Sequence, residues 1–402
     1  MVGIETNGGR PALWILAFAA VGLPAFILRF AGPELDPVLA ALVYGLGIVG
    51  GAFLISWAAE AAQLDVPASF AIAVLALIAI LPEYAIEAVL AWDAGQSFDP
   101  GTQQVTDEMS RVAANVTGSN RLLIGLGWSA VILIFWFKRR RVLDLRGLLS
   151  LEIGVLIAAT ALSFLIFIMG EVHIILAGVL ITMYLFYLWA TSRQATGEPD
   201  LLGPALAVGN LPAVQRRTVV VLLFAYSAAV ILVAAEPFVE ALVDTGGELG
   251  IDEFILIQWI APLASESPEI IVAVLFSLRA NPVGGLTTLI SAEVNQLTVL
   301  VGSMVVIFSF SAGEVLSFPL DTRQSVEFFL TSAMSVFAII LILPRLISWK
   351  AGAVLLVLFV AHLGFVDSSQ RLVFAYIFLG LSAGLLIMNR RQLWRALRGT
   401  SV

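Results

Sequence analysis

Long apolar windows recur along the whole chain, separated by short polar joints. A helix of roughly 20 apolar residues crosses the ~30 Å hydrocarbon core of a bilayer. Twelve windows of that kind predict transmembrane helices near residues 12–31, 36–62, 67–94, 108–137, 148–169, 171–192, 217–243, 251–277, 284–310, 326–346, 349–367 and 371–389. A membrane barrel would instead show alternating segments of about ten residues, and this pattern is absent. The expected fold class is therefore an all-α membrane protein. The first window follows Arg10 and ends in FAGP, a poor small-x-small cleavage site, so it reads as a retained span rather than a removed signal.

The charges order these spans. The run KRRRVLDLR (138–146) follows span four, and Arg193, Arg216 and Arg217 flank the joint after span six. Arg279 follows span eight, Arg345 and Lys350 follow span ten, and Arg390, Arg391, Arg395 and Arg398 follow span twelve. Joints after odd-numbered spans carry Asp99, Asp107, Glu108, Asp244, Glu248, Asp252, Glu253 and Asp321 with few bases. The positive-inside rule then puts both termini in the cytoplasm, with the cell membrane as the expected location.

Composition narrows the function classes. Of 402 residues, 60% are hydrophobic and 12% charged, and the net charge of -8 says little about partners because many acids fall in or beside the spans. The absence of cysteine excludes disulfides and thiolate chemistry. Two histidines, His173 and His362, are too few for a histidine metal centre. There is no H-E-x-x-H, nucleophile elbow or Walker loop, so the chain is not expected to be an enzyme. Nothing resembles a repeated channel filter. The expected partners are cations as substrates and the lipid bilayer, with no nucleic acid and no bound cofactor; the oligomeric state is open.

The polar positions inside the spans repeat. SWAAEAAQLDVPASF (56–70) and VAAEPFVEALVDTGG (233–247) are each followed by a Pro-Glu span, ILPEYAIEAVLA (80–91) and ESPEIIVAVLFS (266–277). Next come NVTGSNRLLIGLG (115–127) and ISAEVNQLTVLVG (290–302), in which Asn120 and Asn295 each lie seven residues before a glycine. The predicted organisation is an extra helix in 1–35, a five-helix repeat in 36–192, a cytoplasmic linker in 193–216, a second repeat in 217–367, and an extra helix with a basic tail in 368–402. Five is odd, so the repeats must be inverted, the arrangement of transporters that hold their substrate near the midplane.

Carboxylates are costly in a bilayer and persist where they are paired, protonated or used. Glu83 and Glu87 are four apart and share a helix face, and Glu266 and Glu269, three apart, share another. Glu293 falls within span nine. Pro82 and Pro268 lack the N–H that the carbonyls of Ile78 and Ala264 would bond in a helix. A freed carbonyl beside a carboxylate is a hard-oxygen site suited to Na⁺ or Ca²⁺. Ser119, Ser265, Ser267, Thr117 and Thr298 are candidate neutral oxygens. Arg121 lies inside span four, with Glu87, Glu266 and Glu293 as alternative partners. Ser119 and Asn120 serve equally as interhelical hydrogen-bond groups.

These motifs resemble the cation/calcium exchanger superfamily, whose best-known members are sodium/calcium exchangers; the resemblance covers residues 36–367. It implies that Glu83 and Glu269 are the principal cation-binding glutamates. It also implies oxygen ligands at Ser119, the serine of the G-S-N motif, with Asn115 as that motif's first asparagine. Ser265 takes the threonine position before the second Pro-Glu, and Thr298 takes the later polar position. Asn120, Glu266 and Glu293 remain candidate ligands beside them. The chain departs from the family pattern at Ala79 and Ile80, which replace Thr-Ser, and at Leu123, Val294, Glu266 and Glu293. Extra acids with fewer hydroxyls weaken the preference for Na⁺ and favour protons. The expected function is a secondary active antiporter exchanging Ca²⁺, or another cation, for Na⁺ or H⁺. The alternatives are a Na⁺/H⁺ exchanger and a degenerate member in which Arg121 occupies the site.

Overall fold

The structure, a computed structural model, describes residues 10–32, 35–65, 80–145, 150–193, 201–279 and 281–397. Ile78, Ala79, the first part of predicted span three, residues 194–200 of the linker, Arg146 and Arg398 lie outside the described residues. The chain is an all-α membrane protein. Among the described residues ten helices are long and apolar enough to cross a bilayer, and Trp349–Leu363 is a shorter apolar helix.

The helices are α1 (Arg10–Ala31), α2 (Pro37–Ala62), α3 (Leu81–Ser97), α4 (Asp107–Leu122), α5 (Ser129–Arg139), α6 (Ser150–Met169) and α7 (Ile174–Ser192). They continue as α8 (Gly203–Gly209), α9 (Ala213–Leu249), α10 (Glu253–Leu278), α11 (Pro282–Asn295), α12 (Val301–Ala312), α13 (Thr322–Ile342), α14 (Trp349–Leu363) and α15 (Ser368–Leu397). A π-helical turn, Leu123–Trp128, joins α4 to α5, and a second, Gln296–Leu300, joins α11 to α12. Predicted spans four and nine are thus each one continuous helix with a π turn inside.

Helix ends follow local chemistry. Thr106 caps α4 by accepting the Met109 N–H, and Asp321 caps α13 in a capping box with Gln324. The helix α9 runs for 37 residues, about 55 Å at 1.5 Å per residue, past Pro237 and past residue 243, where the predicted span ends. It stops only at Gly250, whose φ of 64° is left-handed.

The chain divides into two compact units. The first comprises residues 1–89 and 185–268, the second 90–184 and 269–402. In the first, α2 packs along α9, and a Cβ at Gly51 would lie 2.8 Å from Ile231, so that only glycine permits this approach. Phe53, Leu54, Trp57 and Ala58 pack with Ala205, Val208, Val220 and Leu223. The linker is therefore not featureless: α8 seats its apolar side against α2. Arg216 donates to Asp65 at 2.6 and 2.8 Å and Arg217 at 3.0 Å. The Arg216 guanidinium holds the Asp65 carboxyl down at about 2.

The second unit contains two very short antiparallel ribbons. Leu143–Asp144 pairs with Leu346–Ile347, and Glu171–Val172 pairs with Phe318–Pro319. The first ribbon joins the segments after spans four and ten, the second those after spans five and nine. Paired strands must lie on one side of the bilayer. Each ribbon therefore ties two even-numbered or two odd-numbered joints together, the same division that the charges make. Gly125, in the first π turn, lies under the ring of Phe359 from α14, and a Cβ there would overlap the ring.

Candidate cation site

The candidate residues fall in both units, and α3, α7 and α10 each contribute residues to both. In the first, Pro82 and Glu83 lie in the first turn of α3. Glu83 and Glu87 are buried, four residues apart on one face. On α10, Ser265 and Glu266 are buried before Pro268. The Ser265 hydroxyl donates to the carbonyls of Ala261 and Pro262, both at 3.3 Å. Pro268 leaves the Ala264 carbonyl without its helical N–H, as the sequence requires. The structure adds that the Ser267 hydroxyl donates to that carbonyl at a long 3.4 Å. This long bond leaves the Ala264 carbonyl only weakly engaged by Ser267.

In the second unit Glu269 is half-buried, and its Oε2 finds no hydrogen-bond partner among the described residues. Helix α4 buries Asn115, Thr117, Ser119, Asn120 and Arg121 together. Asn120 Nδ2 donates to the Val116 carbonyl at 3.1 Å, while its Oδ1 and the Ser119 Oγ have no partner among the described residues. Glu293, fully buried on α11, accepts the Ser335 hydroxyl at 3.0 Å on Oε1, and its Oε2 is without a partner among the described residues. The Thr298 hydroxyl, in the second π turn, donates to its own helix at the carbonyls of Val294 and Asn295. Its lone pairs remain available to a cation. A cavity of about 10 Å³, room for one water, is lined in this unit by Thr117, Asn120, Ser163, Leu297, Thr331 and Ser332.

Arg121 has a partner that sequence reasoning did not name. Its Nε donates to the Thr117 carbonyl at 3.0 Å, and its Nη2 meets Glu327 Oε2 at 2.5 Å. Glu327, on α13, also receives Arg371 from α15, and all three side chains are at most 1% exposed. Glu327 sits one residue inside predicted span 326–346 and Arg371 at the first residue of 371–389, positions that read as interfacial. The helices start earlier, at Thr322 and Ser368, so both charges lie within helices, and both side chains are buried. Ser335 was likewise missed, since one serine among the several small polar residues of this helix gives no signal of its own.

The two π turns lie at equivalent places in the halves, close after Asn120 and Asn295. A π turn inserts one residue per turn and frequently marks a functional site. Among the described residues no three acids or histidines gather into a metal cluster.

The sodium/calcium exchanger protein family matches the chain twice, over residues 37–193 and again over 219–366. The chain belongs to this family. It is 37% identical to a crystal structure of the H⁺/Ca²⁺ exchanger CAX, with a TM-score of 0.90 over 98% of each chain. It is also similar in fold to a Ca²⁺/H⁺ antiporter protein, YfkE, at 16% identity and a TM-score of 0.61 over 91% of this chain and 98% of that one. The sodium-calcium exchanger NCX_Mj shares the fold at 16% identity and a TM-score of 0.52, over 82% of this chain and 97% of that one. No curated protein matches. The chain is thus a membrane transporter of the cation/calcium exchanger type.

Proposed function

We propose that the chain is a secondary active antiporter that exchanges Ca²⁺ for protons. The observation that carries this reading is the 37% identity and TM-score of 0.90, over 98% of both chains, to a protein described as an H⁺/Ca²⁺ exchanger. Glu83 and Glu269 are the carboxylates that take the cation, one from each Pro-Glu helix. Ser119, Ser265 and Thr298 supply neutral oxygens. Asn120, Glu266 and Glu293 lie beside them in sequence and serve as further ligands or proton acceptors.

Calcium takes roughly six to eight oxygens in flexible geometry. Glu269 Oε2, Ser119 Oγ and Asn120 Oδ1, without hydrogen-bond partners among the described residues, are acceptors that would gain from such an ion. A carboxylate that binds either Ca²⁺ or a proton couples the two directly, because one must leave before the other is held. The replacement of Thr-Ser by Ala79-Ile80 removes two hydroxyls that Na⁺ would use, which supports protons over Na⁺. The same division of joints by the charges and by the ribbons supports two inverted five-helix repeats with both termini in the cytoplasm. The partner of Arg121 on α13 argues against the degenerate reading, in which its guanidinium fills the cation site.

Uptake of ⁴⁵Ca²⁺ into proteoliposomes under an imposed proton or Na⁺ gradient tests the reading. Uptake driven by protons supports it. Uptake driven only by Na⁺ replaces it with Na⁺/Ca²⁺ exchange, and no uptake under either gradient removes calcium as substrate.

A further inference from the structure

Helix α13 carries none of the candidate ligands, yet its polar side chains bond to four neighbouring helices, α4, α6, α11 and α15. Gln324 Nε2 donates to Ser110 of α4 at 2.8 Å. Glu327 holds Arg121 of α4 and Arg371 of α15. Thr331 reaches the Thr117 carbonyl of α4 at 3.5 Å. Ser332 meets Ser163 of α6 at 2.6 Å, and Ser335 donates to Glu293 of α11 at 3.0 Å. Glu327, Thr331 and Ser335 follow at four-residue intervals and form one stripe. It runs between α4, which bears Ser119 and Asn120, and α11, which bears Glu293. All of these residues belong to the second unit.

The position of Arg121 on α4 gives this stripe its meaning. Asn115 and Ser119 share one face of α4, and Thr117 and Arg121 share another. Arg121 is two residues from Ser119, about 200° around the helix. The guanidinium therefore points away from Ser119, while Asn120 lies about 100° from each of them. It folds back onto the Thr117 carbonyl and ends on Glu327. Two guanidiniums on one carboxylate, each in a different helix, fix the rotation of α4 against α13. Arg371 secures the arrangement from α15, with its Nε on the Phe365 carbonyl at 3.0 Å.

We infer that Glu327, held by Arg371, is a positioning residue for cation transport: it sets the rotation of α4 through Arg121 and so aims Ser119 and Asn120. The terminal helix α15, outside both repeats, is then a working part of the transporter through Arg371. The inference rests on the assignment of Ser119 and Asn120 as cation ligands. Groups that orient ligands are commonly worth roughly 10- to 100-fold in metal affinity.

The test compares wild type, Glu327→Gln, Arg371→Gln and Arg371→Lys, purified as full chains of equal monodispersity and reconstituted at equal amounts. The half-saturating Ca²⁺ concentration and the maximal rate of ⁴⁵Ca²⁺ uptake are read separately. Glu327→Gln and Arg371→Gln should raise the half-saturating concentration by roughly 10-fold or more with a smaller change in maximal rate. Arg371→Lys, which keeps the charge but loses the planar fork, should fall between Arg371→Gln and wild type. Should Glu327→Gln not fold, the two Arg371 variants decide. Folded variants with wild-type half-saturation overturn the inference and leave the network a helix-docking device only. Wild type that takes up no Ca²⁺ overturns the calcium reading instead, and the same variants are then read with ²²Na⁺ or by collapse of a pH gradient.

Discussion

Removing the partners of the buried triad one at a time should give unequal losses of stability. Glu327 is the only carboxylate between Arg121 and Arg371 in the contacts above, and all three side chains are at most 1% exposed. Glu327→Gln leaves two buried guanidiniums without that charge between them. Breaking a buried pair from the side that strands a charge costs about 3 to 5 kcal/mol. Arg121→Met leaves Glu327 and Arg371 as an intact pair. Its cost is limited to lost hydrogen bonds, about 0.6 to 1.7 kcal/mol on the scale measured inside membranes. The triple variant Arg121→Met, Glu327→Met, Arg371→Met removes the charges together, and such replacements are often neutral or stabilising. Thermal unfolding in detergent should therefore rank Glu327→Gln well below Arg121→Met, with the triple variant recovering most of the loss. A triple variant as unstable as Glu327→Gln, or Arg121→Met falling below it, refutes the reasoning.

Two further predictions follow from the packing. Gly125→Leu should cost about 1 to 3 kcal/mol by overpacking, because Phe359 covers the site of its side chain; a melting temperature equal to wild type contradicts this. Asp65, held at about 2 against an ordinary 3.8 by Arg216, contributes its tether fully above the unfolded value and loses it as pH falls toward the folded one. Limited proteolysis of the segment around α8 should be constant from neutral pH down to about 4 and rise only below that. In Asp65→Asn the segment should be cleaved already at neutral pH, and equal protection in the variant contradicts the tether.

What the sequence made legible was whatever rests on length and period. Apolar windows long enough to cross a bilayer, the alternation of basic and acidic joints, and the paired Pro-Glu spans all follow from one-dimensional spacing. Neighbours across helices do not. Arg121 was visibly anomalous, but periodicity assigns a face and not the helix opposite, so Glu327 was missed. The π turns at Leu123–Trp128 and Gln296–Leu300 each insert a residue without any compositional mark. The two-residue ribbons are too short to show alternation. The predicted span seven ends at 243, yet α9 continues through Gly246 and Gly247 to Leu249 despite roughly 1 kcal/mol of lost helix propensity per glycine.

The central claim is that Glu269 carries a cation that protons replace. The most direct measurement is ⁴⁵Ca²⁺ uptake into proteoliposomes for wild type and Glu269→Gln, under a proton gradient and separately under a Na⁺ gradient. Proton-driven uptake in wild type that is lost in Glu269→Gln, with the variant folded, is the predicted result. Equal uptake by the folded variant, or uptake by wild type that ignores the proton gradient, would contradict it.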